Sequence, residues 1–225
     1  MVRVASAEND ARMVAAIEIA RARTLGVAGA DPADLALAAG LLGESARLWA
    51  MSGRAAVALP WAEDAMTLAA ASGDIRARLA AMGGFLIASV FTGARDIRAL
   101  FDDATALAEQ SGIWWMYAMA AGFAGASLWT GDPAAGEALV VRAEDAARRS
   151  QSPYAIGAVA MAHGRMLGLA GRTDESAERF GVAAARFAEI GDERFVLASR
   201  SDLAHALRRG GRLDEAEALY RETIG

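Results

Sequence analysis

Glycine recurs at Gly53, Gly93, Gly131, Gly171 and Gly211 with spacings of 40, 38, 40 and 40. A second series keeps the same step, for Gly73, Gly112, Gln151 and Gly191 stand 39, 39 and 40 residues apart. Two interleaved series with one period indicate a chain built by stacking copies of one unit, each too small to bury its own apolar face. Every unit reads as two helices. Asp31-Pro32, Asp132-Pro133 and Ser152-Pro153 are helix starts, because a short polar side chain caps free N–H groups and proline suits the first turn. The glycines are stops, since glycine enters the left-handed conformation that ends a helix at no steric cost. The spacing predicts a leading helix near 7–24, then pairs at 32–51 and 54–71, 75–92 and 94–110, 113–130 and 132–149, 153–170 and 172–190, and 193–209 and 212–225. No segment shows the two-residue alternation of a half-buried strand. Pro60 falls inside a second helix and predicts a late start or a kink there.

Composition narrows the function. A formal net charge of -5 gives the segment no electropositive surface of the kind phosphate backbones need, so nucleic acid is not an expected partner. There is no cysteine, and His163 and His205 are the only histidines, which removes disulfides, thiolate nucleophiles and Cys- or His-rich metal sites. A Walker-type phosphate loop needs a lysine, and all 23 basic residues are arginine; no GxGxxG follows a strand. No cofactor and no metal is expected. Arg3, Glu8, Asp10 and Arg12 occupy the place of a signal peptide's apolar core, so a cytoplasmic chain is expected. The 22 uncharged residues 110–131 are long enough to cross a bilayer, but they are rich in Ala, Gly and Ser and flanked by Glu109 and Asp132, which argues against a membrane span.

The last two units carry a recognisable signature: Leu203, Ala204, Leu207, Gly211, Ala216, Tyr220 and Thr223 in one, and His163, Gly164, Leu167, Gly171, Ser176, Phe180 and Ala183 in the other. The pattern resembles the tetratricopeptide repeat (TPR). It is similar to a 40-residue version found in the tails of LuxR-type and signal-transduction ATPase regulators of high-GC bacteria, an origin that abundant alanine and the absence of lysine also fit. The resemblance implies an all-α, right-handed α-solenoid of about five TPR-like helix pairs over 32–225, with 1–31 a partial leading helix and linker, the whole of 1–225 being one domain. The short last helix and the unpartnered leading helix point to a fragment of a longer chain.

In such a solenoid the first helix of each pair lines the concave side. That register places Gly84, Ile87, Phe91, Gly122, Leu128, Trp129, Met161, Arg165, Asp202, His205, Arg208 and Arg209 on the inner face, oily in the middle and polar at the end. Three readings of the oily middle are open: burial by tight curvature, a partner or self-association face, and a pocket for a hydrophobic small molecule. Trp114, Trp115 and Tyr117 either plug the gap between repeats or anchor an interface. Asp202 and His205, three apart on one helix, could form a base and its orienting carboxylate, but no nucleophile stands beside them. With Arg165, Arg208 and Arg209 they could instead hold a peptide carboxylate or another anion, or simply form a solvated face. His163 belongs to the packing series and reads as a core histidine. The expected function is non-catalytic: a protein interaction or sensor module of a regulatory protein, with a small-molecule sensor as the alternative.

Overall fold

The structure, a computed structural model, describes residues 14, 15, 17–19, 21, 31–93 and 98–224. Among these residues all regular structure is helical: α1 (Pro32–Trp49), α2 (Ala55–Ser72), α3 (Ile75–Thr92), α4 (Arg98–Ser111), α5 (Trp114–Leu128), α6 (Pro133–Ser150), α7 (Pro153–Leu169), α8 (Thr173–Glu189), α9 (Glu193–Arg209) and α10 (Leu213–Ile224). The expected leading helix near 7–24 lies mostly outside the described residues, although those of its span that are described are helical.

The helix boundaries follow local chemistry. Asp31, Asp132 and Ser152 each accept a hydrogen bond from the N–H of Ala33, Ala135 and Ala155, as their sequence positions predict. At Gly171, Gly191 and Gly211 the chain turns left-handed, and the next residue's N–H reaches the carbonyl four positions before the glycine: Arg172 to Leu167, Asp192 to Phe187, Arg212 to Leu207. Gln151 takes the same left-handed place, at φ 52°, where its counterparts are glycines. Two expectations need correcting. Gly131 does not enter the left-handed region; its turn is closed by the N–H groups of Gly131 and Asp132, both donating to the Leu128 carbonyl. Pro60 does not delay α2, which starts at Ala55 and runs through it; near a helix start the proline forfeits only one backbone bond, to Ala56.

The chain divides into two compact units, Met1–Leu107 and Ala108–Gly225. In the first, α1, α2 and α3 pack against one another. Ala39, Ala46, Ala58, Ala62 and Ala65 are fully buried, so the helices approach closely. Closest are Gly43 of α1 and Gly84 of α3: a Cβ on Gly84 would lie 2.2 Å from the Gly43 carbonyl oxygen, and one on Gly43 would lie 2.7 Å from that of Ala80. Wider gaps are filled by Trp49 and Trp61, whose rings stand 5.7 Å apart. The Trp61 indole N–H donates to Glu18 and Arg21 pairs with Asp64, which ties the leading segment to α2.

The second unit repeats one motif. α5 packs on α6, α7 on α8 and α9 on α10, while α7 also meets α5 and α9. Phe187, wholly buried, stacks on Phe195 at 4.8 Å and meets the edge of Tyr154 at 5.8 Å. Ser176, at the small-residue position of the repeat, donates to the Gly164 carbonyl at 2.7 Å and so joins α8 to α7.

The uncharged stretch 110–131 is not one long helix: α4 ends at Ser111 and α5 has 15 residues, short of the roughly 20 a bilayer requires. Among the described residues α3 alone is long and apolar enough to cross a membrane; residues 81–89 within it are all buried inside the unit.

Candidate functional site

The uncharged middle of the inner helices is largely core. Gly84 and Ile87 are buried in the first unit, and Gly122 and Met161 in the second, where a Cβ on Gly122 would meet Val159 at 3.1 Å. Burial against neighbouring helices therefore accounts for these four residues, which were expected to line a groove. Phe91 is 51% exposed, and Leu128 and Trp129 are half-buried. Trp115 is exposed, Tyr117 is buried, and Trp114 lies with its ring 4.7 Å from the Arg149 guanidinium and edge-on to Tyr117.

Four of the expected polar residues do come together. Arg165 of α7 and Asp202, His205 and Arg209 of α9 line a cleft of about 380 Å³ in the second unit. One of its walls holds a pair of glycines one helical turn apart. Gly164 and Gly168 put no side chain on the α7 face that meets α8, so the Phe180 ring rests against Gly164 and Ser176 reaches its carbonyl. Opposite, Ala206 of α9 is too small to fill the space between the three helices. The interior is thus apolar, with Leu169 and Thr173 on its walls and the charges at its mouth.

Those charges are not equivalent. Both Nε and Nη2 of Arg165 donate to one oxygen of Asp202, at 3.1 and 3.0 Å. Asp202 is therefore committed across two helices rather than to His205, whose ring instead meets the edge of Tyr220 at 5.9 Å. Among the described residues nothing pairs with Arg208 or Arg209. The Arg209 Nη1 lies 3.9 Å from the point a Cβ on Gly168 would occupy, which sets its guanidinium beside the cleft wall. Arg208 lies outside the cleft lining and is exposed. The acids at the nearby start of α8 already have partners: Glu175 pairs with Arg172 at 2.6 Å and Asp174 with Arg212 at 4.0 Å. Sequence reasoning found the cleft's charged rim but missed Phe180, Ser176 and Thr173. The signal was present in the glycine spacing of residues 164–168.

The remaining histidine is structural. His163 of α7 is buried, and its Nδ1 is 2.8 Å from Glu144 Oε1 of α6, while Arg179 of α8 stands 3.2 Å from the same oxygen. Burial pushes the Glu144 carboxyl up, but the hydrogen bond to His163 and the charges of His163, Arg179 and Arg148 outweigh it and hold the group below its ordinary value near 4.5. A carboxyl depressed on folding adds stability above its unfolded value and loses it as pH falls through the folded one. Glu144→Gln is therefore expected to lower stability by about 1.5 kcal/mol at neutral pH. The urea midpoints of variant and wild type should converge once the pH is taken below the folded-state value, and a gap independent of pH would show that the charge is irrelevant.

Against this geometry, one solved structure provides a comparison. It is the crystal structure of nearly identical TPR-like repeats assigned to a Podosopora anserina kinesin light chain, matched with a TM-score of 0.56 and 17% identity over 81% of this chain and 91% of that one. This chain shares the TPR-like repeat fold. The likeness covers the helix pairs of an all-α solenoid and carries no residue-level assignment. No family model matches the chain, nor does any curated protein.

Proposed function

We propose that this TPR-like chain is a non-catalytic interaction module of a bacterial regulatory protein, acting in the cytoplasm in transcription regulation or signal transduction, with all of 1–225 as one domain. A partner segment would dock along the exposed edges of α7 and α9 in the second unit. The observation that carries this reading is two exposed guanidiniums at the end of α9, Arg208 and Arg209, that have no partner among the described residues, the second of them sharing the cleft lining with the exposed side chain of Leu169. Two unsatisfied guanidiniums next to apolar surface suit a peptide that brings a carboxylate and an apolar side chain together. Half-buried Trp129 and exposed Phe91 are further contact candidates, each within its own unit. The test is selection from a displayed random-peptide library. Enriched sequences should carry an acidic group next to an apolar residue, and Arg208→Glu should weaken them at least tenfold. A library that returns no enriched sequence, or sequences indifferent to Arg208→Glu and Trp129→Ala, would end the reading.

The cleft supports a second reading, a sensor that encloses a hydrophobic small molecule. Its volume falls within the range of about 300–1,000 Å³ common to small-molecule sites.

A further inference from the structure

The sensor reading leaves the ligand unnamed, and the inference that follows rests on it. We propose that the cleft between α7, α8 and α9 binds a small monocarboxylate with an apolar body, its carboxylate on Arg209 and its tail against Phe180 and Ala206.

The apolar body follows from the interior. Phe180 and Ala206 are buried side chains that border the cleft, with Leu169 on its wall, and the glycines Gly164 and Gly168 add no polar side chain to it. The charge of the head group follows from the mouth. Arg165 and Asp202 neutralise each other, which leaves Arg209 as the guanidinium of the lining that has no partner among the described residues. One net positive charge calls for one negative charge. A dianion such as a phosphate monoester would bring its second charge toward Asp202, and a neutral ligand would leave the guanidinium unanswered. The planar fork of Arg209 accepts a carboxylate through two parallel N–H···O bonds. Its place beside Gly168, with Nη1 3.9 Å from where a Cβ there would lie, lets the head group sit at the rim while the tail enters. His205, also at the rim, supplies a ring N–H and an aromatic edge.

The inference is tested on the full chain by titrating butyrate, hexanoate, octanoate and decanoate, and the primary amide of each, while following the amide resonances of Gly164, Gly168 and Ala206. The acids should perturb all three, tightening by about fourfold per methylene until the cleft is full. The amides should bind at least tenfold more weakly. Arg209→Gln, at an exposed position that leaves the fold unburdened, should abolish this difference between acid and amide. A tripeptide with a free C-terminal carboxylate and an apolar last residue is the competing occupant. If it perturbs the same resonances while the free acids at millimolar concentration do not, the inference fails and the partner-segment reading stands. Acid and amide binding alike, or Arg209→Gln keeping the preference, also overturns the inference. Failure of the peptide library with success of the acids removes the partner-segment reading alone.

Discussion

Gly84→Ala is expected to cost the first unit about 3 kcal/mol or more, seen as a lower urea midpoint and faster hydrogen exchange in α3. The added methyl would lie 2.2 Å from the Gly43 carbonyl oxygen, a backbone atom that cannot rotate away, so α1 and α3 must separate. Separation would loosen the buried alanines Ala39 and Ala46 and the side chain of Ile87 together, because the interior is close-packed. Gly40, on the same helix α1, has nothing within 4 Å of a Cβ. Gly40→Ala should therefore be stabilising, by roughly 0.5–1 kcal/mol through the better helix propensity of alanine. If the two substitutions behave alike, the close crossing of α1 and α3 is not what holds that unit.

In the second unit the largest loss is expected from Phe187→Ala, about 3–5 kcal/mol of unfolding free energy. Phe187 is wholly buried, and its removal would leave a void beside the rings of Phe195 and Tyr154 and against the Gly157 backbone. Phe91→Ala is the informative contrast. With half its surface in water, it should change stability by no more than about 0.5 kcal/mol. A thermal melt of both variants separates core aromatics from those free to meet a partner. Equal losses would mean that the exposed Phe91 is held by contacts its burial does not reveal.

The architecture was readable from the sequence because helix ends are decided locally. Asp31, Asp132 and Ser152 act as caps within three residues of where they stand, and the glycine turns repeat with the period that reveals them. What could not be read was how far apart the helices lie. An uncharged helix such as α3 looks the same in sequence whether its inner face lines a groove or touches another helix. The approach of Gly43 to Gly84, 41 positions apart, is a fact of three-dimensional register. The same limit applied to Asp202. Its neighbour one turn along, His205, was the visible partner, yet the bond it makes is to Arg165, nearly one repeat away. Superimposing the repeats before pairing residues would have brought those two together. Gly131 was misread for a simpler reason: its place in the glycine series says that a turn is there, not which backbone conformation closes it.

The turns at Gly171, Gly191 and Gly211 are each closed twice, for the glycine's own N–H also donates, to the carbonyl three residues before it. Each sets where the following helix starts, so a residue added inside that helix, rather than in the turn, would rotate everything beyond it by about 100°. Changes of length are thereby directed to the turns, and new specificity to side-chain exchanges along the exposed helix edges.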